Sequence, residues 1–479
     1  SRLVAFFTEE QLLKIDVATG AVAVLCDEVN TRGGTWSRDG VILIGSGTGG
    51  LKRVSASGGD MTEVLAADTA TGENALRYPA FLPDGKRVLF YARNPVKREL
   101  AGLWVVALDT GVRKQLAPAS SSAVYAAPGY VLYRRDRYLV AHRFDSDRLE
   151  LTGDAVTIAE DIWYEPALTA ATNISASSAG TLVFRAGGPE ETDLAWFTRT
   201  GQPAGTVWEP KAFNTIDISP DGTQLITALP GKGVERDTWL YDLTSETARQ
   251  ITSVGDLGGT AIFSSDGSRV ALTLYNGSEL TVWFMGLGSG LTPTSAGLGP
   301  AVATDWRDDQ LIFQSSQAAD TSLFALDLPR GVTRPLVTSP ANEQFGVVSP
   351  DGRWIAYSSD STGQWEIYVE TFPKTGERWR ISNEGGHQPR WHPKGGELFY
   401  LAPDRRLMSA RVGASARAFQ WDAPRALFQT AVVDLGPYRG SHSYDVAPDG
   451  ERFLILTRRP QGTSPAVAVL NWVSRFGLR

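Results

Sequence analysis

"VSPDGRWIAYSSDSTGQWEIYVETF", residues 348–372, reads turn, apolar run, polar break, apolar run. The phrase returns as "FLPDGKRVLFYA" from Phe81, "ISPDGTQLITAL" from Ile218, "FSSDGSRVALTL" from Phe263 and "VAPDGERFLILT" from Val446. In its turn Pro350 presets φ at the second position, Asp351 tolerates the third and Gly352 closes the fourth. The run "WIAYS" that follows has no polar face. A half-exposed strand would alternate, so this one has to be covered on both sides. "QWEIYVETF" alternates more, as a strand nearer a rim does. "GERWRIS" adds a further strand after a turn at Gly376.

The Gly of each turn, or its nearest equivalent, marks a register: Gly40, Gly85, Gly129, Gly180, Gly222, Gly267, Asp309, Gly352, Gly395 and Gly450, spaced 42 to 55 residues apart. Such a period signals propeller blades of four strands each. Helical periodicity is almost absent, and 49 Gly with 26 Pro suit many short strands and turns. At 479 residues the chain exceeds one ordinary core. The reading is an all-β chain of tandem β-propellers. Residues 1–195 form a first, partial ring of four to five blades and residues 196–479 a second ring of six, joined near 185–212. The opening "SRLVAFFTEEQLLKIDVATG" matches the second half of the repeat without its turn. The first ring is therefore expected to be incomplete at its N-terminus, with its first part upstream. The closing run "AVAVLNWV", Ala466–Val473, is expected beside "RFLILT" in the last blade, sealing the second ring. The longest interval, before Gly450, is assigned to a loop at "LGPYRGSHS".

Composition narrows function. Hydrophobic residues at 42% and charged residues at 21% are ordinary for a globular chain. A net charge of −7 with no basic stripe argues against a nucleic-acid surface. No apolar run approaches a membrane span, so membrane attachment is expected only through a part absent from this chain. One cysteine, Cys26 in "AVAVLC", excludes an internal disulfide framework and reads as a buried structural thiol.

Several motifs resolve into turns and packing. "GSGTGG", Gly45–Gly50, fits the dinucleotide pattern, but a strand and not a helix follows it. "DSDRLELTGD", Asp145–Asp154, starts like a calcium loop and lacks the mid-loop Gly and the distal Glu. Trp36, Trp306 and Trp391 stand just before turns, in register with the repeat, and are expected to pack between blades. No G-x-S-x-G elbow, aspartate box or HExxH pair occurs, so no residue receives a catalytic or metal-binding role and no cofactor is expected. The histidines are His142, His387, His392 and His442. His387 and His442 fall at comparable places of adjacent blades. Two readings stand for them: a shared position at the channel mouth, with metal binding as its extreme, or hydrogen-bonded loop histidines.

"SPDGRWIAYSS…EIYV", "GGHQPRWHPKGGELFYLAPDRRLMSARV" and the ending "AVAVLNWV" resemble TolB-like propeller repeats. More narrowly, with "KIDVATGAVAVLCDEVNTRGGTWSRDGVILIG" and "RLELTGDAVTIAEDI", they resemble the C-terminal propeller regions of bacterial receptor-like serine/threonine kinases. The likeness spans essentially the whole chain, which contains no "HRD", "DFG" or "VAIK" motif. It implies a non-catalytic sensor or docking part on the periplasmic or extracellular side of the cytoplasmic membrane. Its ligand or protein partner would bind over the channel mouth. The expected contact residues are Arg77 and Tyr78 in "RYP", His387, Gln388 and Arg390 in "HQPR", and His442 and Tyr444 in "SHSY". The alternatives are a propeller hydrolase or lyase with a metal or acid-base site in the channel, and a structural spacer.

Overall fold

The computed structural model describes residues 2–8, 11–27, 31–94, 97–119, 121–162, 171–187, 191–230, 236–252, 258–275, 280–288, 292–316, 320–373, 376–415, 418–433, 442–459 and 465–478. The chain is nearly all β and divides into two compact units, residues 1–189 with 461–479 and residues 190–460.

The first unit carries five antiparallel sheets, numbered here as blades 1 to 5. Blade 1 has three strands (Leu3–Phe7, Gln11–Asp16, Val22–Asp27). Blades 2, 3 and 4 have four each and begin at Thr31, Ala75 and Ala123. Blade 5 pairs Ile174–Ala176 with Leu182–Arg185, and Leu182–Arg185 with Ala466–Val469. Apolar clusters join each blade to the next from 1 to 5. Among the described residues no such cluster joins blade 5 to blade 1, and Leu3, Val4, Phe6, Val22 and Val24 of blade 1 are exposed. The arc is open at that side.

The second unit is a closed ring of six. Blades 6 to 10 begin at Ile216, Gly258, Val302, Glu343 and His387. Blade 11 combines Tyr444–Val446 and Arg452–Arg458 with Thr192–Thr198 and Pro203–Thr206. Strands from the start of the unit thus complete the blade at its end. Six apolar clusters fill the six junctions, the last uniting Leu194, Leu454 and Leu456 with Ile216, Ile218 and Leu225.

The strand Trp354–Ser359 lacks a polar face because both of its faces are covered. Ile355 and Tyr357 pack toward blade 8, while Trp354 and Ala356 pack toward blade 10. Gly352 has φ +69°, a conformation that costs about 1–2 kcal/mol for a residue with a Cβ. Gly222, at φ +74°, is also crowded, since a Cβ there would meet Pro448 at 2.8 Å. Trp306 and Trp391 lie buried in junction clusters, and the Trp391 indole donates to the Val347 carbonyl across one junction at 3.0 Å.

Three expectations are corrected. The run Ala466–Val469 does not lie beside Arg452–Thr457; it pairs with Leu182–Arg185 in the first unit, and Thr192–Thr198 takes the place expected for it. A chain boundary at 195/196 also separates Thr192–Thr198 from the ring it closes. Cys26 is half-buried at the edge of the cluster between blades 1 and 2. Most of the stretch "LGPYRGSHS" lies outside the described residues. The long last interval contains an added strand, Ala418–Trp421, in blade 10.

Candidate functional site

The inner strands of several blades share a kink. Their pairing slips between Gln344 and Val347, between His387 and Arg390, and between Arg77 and Ala80. In each slip one residue adopts positive φ: Phe345 (+57°), Gln388 (+56°) and Tyr78 (+50°). Bulges of this kind re-aim the residues that follow.

In the second unit the re-aimed level holds one residue per blade: Asp217, Ile262, Asp305, Val347, Arg390 and Asp445. Ladder register makes them equivalent, each facing the third residue of its neighbouring strand. Three are carboxylates and one is a guanidinium. The carboxylates bridge junctions: Asp217 accepts from the Phe263 amide at 2.8 Å, Asp305 from Val348 at 2.8 Å, and Asp445 from Ile218 at 2.7 Å. Arg390 spans the ring, with Nη2 3.1 Å from Asp217 and Nε 3.4 Å from Asp445.

Burial sets the electrostatics. It pushes the Asp217 carboxyl up to about 7, Arg390 opposing and Asp445 reinforcing the shift. Burial also raises Asp305 against the pull of Arg307. It acts to lower Arg390, but Asp445 and Asp217 outweigh it and hold the guanidinium above its ordinary value.

These side chains line a cavity of about 260 Å³ built from all six blades. The turn residues Pro220, Ser265, Pro350, Pro393 and Pro448 form much of its rim. Beneath it the channel is filled on the side of blades 9 to 11. Phe345 of blade 9 is fully buried and its ring lies 5.3 Å from His442 of blade 11, two blades away. Gln388 stands between them, accepting from the Ser443 amide at 2.7 Å and, through its carbonyl, from the Tyr444 hydroxyl at 2.9 Å. The cavity is therefore a cup with charged walls, underlain on one side by buried side chains. The equivalent positions of the first unit are Thr35, Ala80, Val124 and Ser175, all uncharged.

The residues expected at the mouth are distributed as follows. Arg390 lines the cup. Gln388, His442 and Tyr444 are buried beneath it. Burial and then Arg390 hold the His442 imidazole well below its usual range, and burial holds the Tyr444 phenol well above. His387 is half-buried, one residue before the Gln388 kink, and close enough to His442 to depress it further. Arg77 and Tyr78 belong to the first unit, where Arg77 is buried and donates to the Gly47 carbonyl at 2.9 Å; burial, with Arg93 and Arg32 nearby, lowers it to about 10. Among the described residues no three His, Cys, Asp or Glu are grouped to hold a metal.

Asp217, Asp305 and Asp445 escaped the sequence reading, although their signal is plain. "DISPDG", "DVAPDG" and "RWHPKG" place Asp217, Asp445 and Arg390 at one fixed distance before the turn glycine. Asp305 is offset by one because its turn is one residue shorter.

Closed ring, kinked inner strands and Ser-Pro-Asp-Gly turns define a tandem β-propeller chain. No family model matches the chain. It is similar, at 25% identity over 286 residues, to an uncharacterized protein of Agrobacterium fabrum, covering 57% of this chain and 94% of that protein. It is also 26% identical over 148 residues to a TolB homolog of Chlorobium chlorochromatii, a match to 31% of this chain and 33% of that one. Among solved structures a putative TolB from Agrobacterium tumefaciens aligns with 57% of this chain and 100% of its own, at 19% identity and a TM-score of 0.47. No helix among the described residues is long and apolar enough to cross a membrane.

Proposed function

We propose that the chain is a non-catalytic docking module whose protein partner or small ligand seats in the cup of the second unit. It would work on the periplasmic or outer side of a bacterial cytoplasmic membrane, as part of a receptor-like kinase or a related envelope protein. The observation that carries this reading is the charged cavity to which all six blades contribute. Loops on a rigid scaffold are the usual seat of recognition, and the cup's volume suits one side chain or a small head group. Its walls offer acceptors on Asp217, Asp305 and Asp445 and donors on Arg390, so the group that enters is polar.

Site-specific photo-cross-linking tests it. A cross-linker at Ser265 on the rim should capture a partner that one at Glu246, on the outer edge of blade 6, does not. Capture should fall when Arg307, which also lines the cup, is changed to Glu. Equal capture at both positions, or capture indifferent to Arg307→Glu, would overturn the proposal.

A further inference from the structure

Two residues past the charged level of the cup, each blade of the second unit places a residue just before its turn: Ser219, Ser264, Arg307, Ser349, His392 and Ala447. The three serines serve their own turns. Ser219 donates to Asp221 at 2.6 Å and accepts from the Gln224 amide at 2.9 Å. Ser264 does the same with Asp266 and Arg269, at 2.6 and 3.0 Å. Ser349 does so with Asp351 and Trp354, again at 2.6 and 3.0 Å. Blade 8 has the shorter turn and no such serine. Arg307 stands there, lining the cup. Among the described residues its side chain makes no hydrogen bond and no ion pair, and its Nε–H is buried with nothing to donate to.

The acceptors of the cup are in the opposite condition. Asp217 takes the Phe263 amide on one oxygen and Arg390 on the other. Asp305 takes the Trp306 amide at 3.0 Å and the Val348 amide at 2.8 Å. Asp445 takes the Val446 amide at 2.8 Å and the Ile218 amide at 2.7 Å. Every carboxylate oxygen is thus engaged, while one guanidinium is not.

We propose that Arg307 anchors a single carboxylate of a protein partner, an acidic side chain or a C-terminus, inside the cup. The proposal specifies the guest of the docking reading above and rests on it. A guanidinium offers parallel N–H donors that match the two oxygens of a carboxylate. One uncommitted cation matches one negative charge; a phosphate dianion would set its second charge against Asp305 and Asp445. An ammonium guest would find each carboxylate oxygen already occupied and would crowd Arg307. Pro220, Pro350, Pro393, Trp306 and Trp391 also line the cup, so the stem that carries the carboxylate meets apolar surface. Asp217 adds a signature in pH. Its carboxyl, pushed up to about 7 by burial, shares the cup with Arg390, Asp445, Asp305 and Arg307. Between pH 8 and pH 6 the walls therefore lose a negative charge, which favours an anionic guest and disfavours a cationic one.

Ligand-observed NMR titration of the intact chain tests this with N-acetyl-leucine, a terminal carboxylate, and N-acetyl-glutamic acid α-amide, a side-chain one. At least one should bind saturably, and by roughly threefold or more tighter at pH 6 than at pH 8. N-acetyl-leucinamide, N-acetyl-lysinamide and inorganic phosphate should bind more weakly. Arg307→Gln should weaken carboxylate binding by about tenfold or more, as loss of a charged hydrogen-bond partner does. Arg330→Gln, at an exposed site on the outer side of blade 8, should leave it unchanged. If Arg307→Gln lowers the melting temperature, Arg307→Lys carries the test, since it keeps the charge and loses the fork; it too should bind severalfold more weakly. Absence of carboxylate binding, equal or tighter binding of the amide, the ammonium or phosphate, binding indifferent to both Arg307 variants, or the opposite pH slope would overturn the proposal. Cross-linking at Ser265 judges docking separately: partner capture there alongside any of these results would leave the docking reading standing without its carboxylate.

Discussion

Arg390 is tied to two carboxylates from two other blades in a site largely closed to water. Removing one partner from such a network leaves charges buried without compensation, which typically costs about 3–5 kcal/mol. Arg390→Met should destabilise the second unit on that scale near pH 8. The cost should shrink toward pH 5 for a definite reason. The folded Asp217 holds its proton up to about 7, above the unfolded value of about 3.9. Its protonation therefore favours the fold fully below about 4, and that favour is lost as pH climbs through 7. Without Arg390 the carboxyl binds its proton more tightly still, so low pH rescues the variant. Urea unfolding at pH 5 and pH 8 measures the difference; equal losses at both would show that the guanidinium acts through packing alone.

At the level of strands, the same physics made part of the fold legible and hid the rest. "WIAYS" could be read because a strand buried on both faces leaves no polar alternation, and "PDG" because positive φ selects glycine. The destination of "AVAVLNWV" could not be read. Ala466–Val469 and Thr192–Thr198 are both short and apolar, and nothing local says which sheet edge each will find; pairing is set by register and by what remains open. The charged cup was half legible. Arg390 stands beside a histidine that draws attention to it, whereas Asp217 and Asp445 sit singly in short, otherwise apolar inner strands and Asp305 is out of step with the others by one residue. The observed pairing carries a prediction. Trp472 is fully buried against Tyr130, with rings 5.6 Å apart at 79°, and Val467 and Val469 pack in the same cluster. Burying a Trp is commonly worth about 3–5 kcal/mol against Ala. Deleting residues 465–479 should therefore expose the first unit to protease while residues 191–459 stay resistant. Cleavage confined to the second unit would refute that assignment.

At the scale of the molecule, all six junctions of the second ring are internal to residues 190–460. A unit with its own complete core folds alone. Residues 190–460 expressed by themselves should melt in one cooperative transition. A version starting at residue 207 lacks Thr192–Thr198 and Pro203–Thr206, hence two of the four strands of blade 11, and should not. Calorimetry of the two separates them. A cooperative transition in the shorter form, or none in the longer, would show that closure by these strands is not what holds the ring.

That mode of closure also has a consequence in time. Thr192 and Arg458 are partners in one ladder, so the second ring begins and ends at the same place. Leu182–Arg185 and Ala466–Val469 are partners in another, so the whole ring stands where a hairpin would have its turn. On the ribosome some 280 residues separate those two strands. At about 5–20 residues per second, roughly a quarter of a minute to a minute passes between them. Through that wait Leu182–Arg185 emerges with one ladder edge unpaired. The nascent first unit is thus held open by the synthesis of the second, and a stall within residues 190–460 leaves a bare strand edge for a chaperone or a neighbouring chain to find.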